Sequence, residues 1–219
     1  MKKNLPPEIK LVIFDLDGTL VDAYQAITDS INFMMRKLGR PRQSLKKVTR
    51  SVGHGVDGLI RNFVEEALVE EALAIFRAHH DQRLRRKLTI KRGARALLAA
   101  LKKRGCKMAI ASNRPTKFCR IILEQLKIDH YFDWVICGDA VKNPKPAPDM
   151  IKAILKASGL KPSQAVYVGD MTVDVLCGRR ARVFTIAIPT GSSSPAELRA
   201  LKPDAMIPSL IGDRALFPA

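Results

Sequence analysis

Asp15 and Asp17 stand one residue apart at the end of an apolar run and are followed by Gly18 and Thr19. Residues i and i+2 of an extended chain project to one side, so two carboxylates placed this way repel unless a proton or a cation intervenes. Other apolar runs end in further polar groups: Ser112-Asn113 after one, Gly169-Asp170 with Asp174 four residues on after another, and Lys145 in the stretch Lys142-Asn143-Pro144-Lys145-Pro146 between them. Each acid alone reads as a turn residue or helix N-cap. Three acids and a lysine at successive strand ends read as a site. A hard dication with oxygen ligands, most simply Mg²⁺, resolves the repulsion and leaves positions for water and a phosphoryl oxygen. A carboxylate is a covalent nucleophile toward phosphorus, while a cation and Lys145 neutralise charge on the transferring group. The Ser112 hydroxyl and Asn113 amide supply donors to its oxygens. A second acid protonates the leaving oxygen and later activates water, worth about 10²–10⁴ in rate. Asp15 and Asp17 suit these two roles.

The elements that must position these groups are legible. Residues 10–16 (KLVIFDL) form a short apolar run of the kind found in buried parallel strands. Lys107–Ser112, Trp134–Cys137, Ala165–Gly169 and residues 183–188 repeat the pattern, and residues 204–207 do so weakly. Helical spacing fills residues 93–103, 116–126, 147–158 and 172–182. Alternating strand and helix predicts an α/β fold with a doubly wound parallel sheet, in which ligands bind off the carboxyl ends of the strands. Residues 23–88 lack convincing strands and carry helical spacing over 23–38, 56–63 and 65–87, broken at Gly39-Arg40-Pro41 and Gly53-His54-Gly55. They predict a second, smaller all-helical cap domain inserted after strand one, with residues 1–22 and 89–219 as the core. Crossings near Val21-Asp22 and residues 88–93 suit a hinge over a cleft. Gly191-Ser192-Ser193-Ser194-Pro195 reads as a polar loop.

Composition narrows the classes. The chain has 219 residues, 47% hydrophobic and 27% charged, which excludes disorder, collagen and a disulfide scaffold. Four scattered cysteines without zinc spacing predict reduced thiols and a cytoplasmic protein. No apolar run approaches the roughly 18 residues of a membrane span, and Met1-Lys2-Lys3 is followed by Asn4 and prolines rather than by a secretory apolar stretch. The net charge is +17, and residues 81–107 hold eleven Lys or Arg against one acid, Asp81. Such a surface attracts polyanions. No aromatic residue lies in that stretch to stack bases, so no dedicated nucleic-acid binding is expected.

These residues resemble four motifs of the haloacid dehalogenase superfamily. The first is Asp15-Leu16-Asp17-Gly18-Thr19, the second Ser112, the third Lys145-Pro146-Ala147-Pro148, and the fourth Gly169-Asp170-Met171-Thr172-Val173-Asp174. The resemblance implies a Rossmann-like core, Asp15 as nucleophile and Asp17 as acid/base. It implies Mg²⁺ held by Asp15, the Asp17 carbonyl and Asp170, with Asp174 supporting, and a phosphoryl group held by Thr19, Ser112, Asn113 and Lys145. Dehalogenases of the superfamily lack the second acid, so Asp17 points to phosphate chemistry.

The helical insertion is similar to the caps of phosphoglycolate phosphatases and β-phosphoglucomutases. The segment Val52-Gly53-His54-Gly55 and the pattern Ser112-Asn113-Arg114-Pro115 resemble the former. The resemblance therefore implies a small phosphorylated metabolite as substrate, with 2-phosphoglycolate first. A phosphomutase, a pyrophosphatase or nucleotidase, and a non-catalytic polyanion-binding protein are the alternatives. His54 either contacts substrate or merely occupies a turn. His79, His80 and His130 are expected to be surface or helix-packing residues, Trp134 core, and Glu65, Glu66, Glu70 and Glu71 a solvated face. Arg179, Arg180 and Arg182 are expected to cover a helix end. Arg182 stands where the family has a glycine suited to a left-handed helix cap.

Overall fold

The computed structural model describes Pro6 and residues 8–86 and 88–211. The Met1-Lys2-Lys3 start and Lys87, at the end of an expected helix, lie outside the described residues. Strand β1 (Leu11–Phe14) is followed by β2 (Val21–Asp22), α1 (Tyr24–Lys37), α2 (Leu45–Ser51), α3 (Gly55–Arg61), α4 (Val69–Leu84) and β3 (Thr89–Ile90). Then come α5 (Ala94–Lys103), β4 (Lys107–Ser112), α6 (Thr116–Gln125), β5 (Trp134–Cys137), α7 (Asp149–Ser158) and β6 (Ala165–Gly169). The described chain ends with α8 (Thr172–Ala181), β7 (Phe184–Ala187), α9 (Pro195–Ala200) and β8 (Ala205–Met206).

Six strands form one parallel sheet in the order β5-β4-β1-β6-β7-β8. The central strand β1 is wholly buried, and its residues alternate between two cores. Val12 and Phe14 join the larger cluster that continues into the cap, while Leu11 and Ile13 pack with α7 and α8. That period-two division follows from the pleat, and each such side chain contributes about 1.5–3 kcal/mol by leaving water. The chain runs from β1 outward to β4 and β5, then returns to β6 on the other side of β1. This reversal opens a crevice at the carboxyl ends of β4, β1 and β6, where Ser112, Asp15 and Asp170 emerge.

The predicted insertion is helical. Helices α1 and α4 pack against each other, and the buried stripe of α4 runs Val69, Ala72, Phe76, His80, Leu84, the spacing of one helix face. The two crossings pair as the antiparallel strands β2 and β3, Val21 opposite Ile90 and Asp22 opposite Thr89.

Several elements differ from the sequence reading. Helix α2 has a single buried residue, Val48, so no apolar period betrays it; Ser44 caps it by accepting from Lys47 N. The polar loop at 191–195 leads into α9, where Ser194 and Glu197 form a capping box around Pro195. Trp134 is half-buried, not core, because β5 is an edge strand. Arg182 takes the left-handed conformation itself, φ 61°, and closes α8 as a glycine would.

Candidate active site

The first-motif loop leaves β1 with Asp15 N donating to Val168 O at 2.9 Å, which ties it to β6. Gly18 follows at φ 86°, and a Cβ there would collide with Tyr24 Oη and the Asp170 carboxylate. Glycine is therefore required by both conformation and space. The turn folds the two aspartates toward different partners.

Asp15 Oδ1 accepts from Lys145 Nζ at 2.6 Å. The same ammonium donates to Asp174 Oδ1 at 2.8 Å and to Tyr167 Oη at 3.1 Å. Asp174 is fixed further by Tyr167 Oη, which donates to it at 2.7 Å, and by Met171 N at 2.9 Å. Asp170 lies beside them, accepting from the Thr19 hydroxyl at 2.9 Å, from Ser192 N at 3.2 Å and from Tyr24 Oη at 3.4 Å. Oxygens of Asp15, Asp170 and Asp174 all lie within 4.8 Å of one another, and all three residues are buried.

Burial pushes the Asp15 carboxyl up to about 7, with Asp174 adding to the rise and Lys145 opposing it. Burial likewise holds Asp170 well above the usual carboxylate range, reinforced by Asp15 and Asp174. Burial works against the Lys145 ammonium, but Asp15 and Asp174 outweigh it and raise its pKa, so it keeps its proton. With all three carboxylates ionised, one ammonium leaves two uncompensated negative charges, which is why burial resists that state. One divalent cation among oxygen donors would match that charge and that donor set.

The Asp17 side chain turns elsewhere. Arg114 grips it with two parallel bonds, Nε to Oδ2 at 2.7 Å and Nη2 to Oδ1 at 2.8 Å. Its carboxylate is thus outside the three-acid group, leaving its carbonyl as the atom that the family pattern assigns to metal. Arg114 Nη1 reaches His80 Nε2 at 2.9 Å, and His80 Nδ1 lies 2.9 Å from Ser30 Oγ. A guanidinium only donates, so Nε2 accepts and Nδ1 carries the proton. Burial, aided by Arg114, holds His80 well below the ordinary histidine range.

A cavity lies between the lobes. Asp15, Asp17, Ser112, Asn113, Arg114 and Lys145 form its polar side; Val56, Leu59, Phe76 and His80 from the cap face them. Asn113 joins the halves, donating from Nδ2 to Lys145 O at 2.9 Å and to Gly53 O at 2.7 Å while accepting from Lys145 N at 2.8 Å. Gly53, at φ 144°, lies against Met171, where a Cβ would strike the Met171 methyl. Arg50 of α2 reaches the core as well, donating to both Glu197 oxygens at 2.8 and 2.9 Å and to Ser192 O at 3.0 Å.

Thus Asp15, Asp17, Ser112, Asn113 and Lys145 surround one cavity, and Asp170 and Asp174 stand behind it. Thr19 is fully buried and bonded to Asp170, so it orients that acid. His54 is exposed and stands at the N-cap position of α3 without a side-chain cap bond; its neighbours Gly53 and Gly55 line the cavity. The sequence patterns assign no site role to Arg114, Tyr24, Tyr167 or Ser192, and the packing expected of His80 holds while its contact with Arg114 adds a role. Ser192 belongs to a loop whose backbone wraps Asp170.

The chain is similar to known proteins over nearly its whole length. The family profile described as haloacid dehalogenase-like hydrolase matches residues 12–188. A phosphoglycolate phosphatase of Pseudomonas putida is 34% identical over 95% of this chain and 79% of its own. Phosphoglycolate phosphatase 1 of Pseudomonas aeruginosa is 33% identical over the same shares. A crystal structure of a predicted phosphoglycolate phosphatase from Haemophilus somnus superposes with a TM-score of 0.91 at 25% identity, covering 96% of this chain and 98% of that one. A subfamily IA hydrolase of the same superfamily from Geobacter sulfurreducens gives 0.75 at 25% identity, covering 96% and 97%. Phosphatases of this family generally use Mg²⁺. With its four motifs, its helical insertion and relatives of this kind, the chain belongs to the haloacid dehalogenase-like hydrolase family and is one of its phosphatases.

Proposed function

We propose that the chain hydrolyses a small phosphomonoester through an aspartyl phosphate on Asp15, with 2-phosphoglycolate as the first substrate and Mg²⁺ as cofactor. The observation that carries this reading is the pairing of a buried Asp15–Lys145–Asp174 cluster with a second acid, Asp17, two residues from the nucleophile and on the same cavity. The substrate class follows from the relatives named above.

In the first step an Asp15 oxygen attacks phosphorus as the bond to the leaving oxygen breaks. The electron pair departs on that oxygen, and Asp17, which must enter this step protonated with one oxygen released by Arg114, supplies its proton. In the second step Asp17, now a carboxylate, takes a proton from water as the water oxygen attacks phosphorus; the bond to Asp15 breaks and inorganic phosphate leaves. Lys145 and the Ser112 hydroxyl hold the phosphoryl oxygens through both steps, and donors fixed in advance of charge development are the effective ones; Asn113, expected from the sequence to share this task, has both Nδ2 hydrogens engaged by Lys145 O and Gly53 O and instead fixes the Lys145 loop against the cap. A dication held by Asp15, the Asp17 carbonyl and Asp170 would supply further charge neutralisation on the phosphoryl group. The apolar cap residues exclude bulk water from the acyl phosphate.

Phosphate release from a panel of small phosphoesters, with and without chelator, tests this. The expected result is chelator-sensitive turnover, highest on 2-phosphoglycolate. Wild-type turnover by Asp15→Asn would overturn the nucleophile assignment. Conversion of a sugar phosphate to its isomer without free phosphate would favour the mutase alternative.

A further inference from the structure

Arg114 is a nearly buried guanidinium, 7% exposed, on the polar side of the cavity. Lys145, the other buried cation there, bonds Asp15, Asp174 and Tyr167 and in the mechanism above serves the phosphoryl group. Arg114 bonds to Asp17, the group that meets the leaving oxygen in the mechanism above. Whatever is attached to that oxygen must therefore pass the guanidinium. Three of its five N–H groups are engaged, two by Asp17 and one by His80. Two further N–H groups, one on Nη1 and one on Nη2, are not taken by these partners and can be offered to a ligand carboxylate.

We propose that Arg114 reads the leaving group, selecting phosphomonoesters that carry a carboxylate within two or three bonds of the ester oxygen, and that His80 positions it from the cap. This deepens the phosphatase reading and rests on it. In the substrate-free protein Asp17 occupies one edge of the fork. A substrate carboxylate bonds to the guanidinium alongside Asp17 or displaces it toward the leaving oxygen. His80 reaches Arg114 from α4, and its proton is donated to Ser30 Oγ of α1, which in turn donates to Ala26 O at 3.0 Å. The imidazole is thereby fixed as a neutral acceptor that holds Nη1 in place. Apolar Val56, Leu59 and Phe76 opposite leave the anionic tail no other partner of this kind among the described lining residues.

The test compares kcat/KM for 2-phosphoglycolate with that for 2-hydroxyethyl phosphate, a near-isostere with a neutral tail. A site built for a polar group rejects analogues lacking it by large factors, so the wild type is expected to favour the carboxylate by about 10²–10³. Arg114→Gln is expected to lower both activities and to bring their ratio within about tenfold of one. Should that variant fail to fold, Arg114→Lys, which keeps the charge without the fork, is expected to lower the ratio at least about tenfold. His80→Leu is expected to lower the ratio, and His80→Gln, which keeps an acceptor for Nη1, to restore most of it. A ratio unchanged by either Arg114 substitution, or a wild type that hydrolyses both esters equally, overturns the proposal and leaves the phosphatase reading intact. A wild type inactive on every phosphoester overturns both.

Discussion

Lys145 Nζ lies 2.6 Å from Asp15 Oδ1, although 130 residues separate them in the chain. This one contact brings the loop between β5 and α7 onto the end of β1, and it sets what each group can do. Among the described residues the ammonium is the only buried cation inside a cluster of three buried acids.

Replacement of Lys145 by Met therefore has two effects. It removes a preorganised donor to the phosphoryl group, expected to cost about 10²–10³ in kcat. It also leaves buried carboxylates without their partner, which typically destabilises by about 3–5 kcal/mol. Steady-state kinetics and thermal unfolding check the two effects separately.

The two uncompensated charges predict a metal effect on stability. Mg²⁺ at about 100 times its dissociation constant is expected to raise the unfolding free energy by about 2.7 kcal/mol. Asp170→Asn should abolish that increment, because it removes one charge and one ligand. Calorimetric melts with Mg²⁺ or with chelator decide it, without any assay of turnover.

Arg50 and Glu197 join cap to core while half exposed, 51% and 43%. An exposed pair contributes little to stability, typically under about 1 kcal/mol. Arg50→Ala is expected to leave the melting temperature nearly unchanged but to raise KM, since the cap loses an attachment beside the Ser192 loop. An unchanged KM would mean that the contact has no part in closing the cavity.

Arg182 holds φ 61° at the end of α8, a conformation that costs a non-glycine residue roughly 1 kcal/mol or more. Arg182→Gly is expected to stabilise the protein by a few tenths to about 1 kcal/mol, because glycine's greater freedom in the unfolded chain offsets part of the gain. Thermal melts check the sign; a lower melting temperature would show that the arginine side chain contributes more than its backbone costs.

His80 makes stability depend on pH. In the native state its pKa lies well below the ordinary value, through burial and Arg114. In the unfolded chain it returns to about 6.5. As pH falls below that point the unfolded state takes up a proton that the native state refuses, so stability falls with decreasing pH, by up to about 1.4 kcal/mol per pH unit. His80→Gln is expected to flatten this part of the profile in denaturant titrations between pH 6.5 and 5.

The legible part of the fold was the part with local signatures. Leu11–Phe14 and Ala165–Gly169 are short apolar runs ending in chemistry, and the structure places them side by side. Helices α5, α6, α7 and α8 have apolar faces that repeat within a turn or two. Helix α2 gave no such signal, with Val48 alone buried. Helix α9 did give one, the Ser194–Glu197 capping box, and it was overlooked beside the serine run.

By itself the sequence determined the strand–helix alternation, the helical insertion, and the acids and lysine that end the strands. Those properties follow from side-chain periodicity and from the i, i+2 geometry of an extended chain, which act over a few residues. Tertiary structure alone decided that Asp17 faces Arg114, that His80 is a buried acceptor, that Thr19 serves Asp170, and that a backbone amide at Ser192 completes that acid's shell. These partners lie between 22 and 151 residues apart. Their approach is set by the sheet's reversal at β1 and by the seating of the cap, and neither leaves a mark on the local pattern of residues.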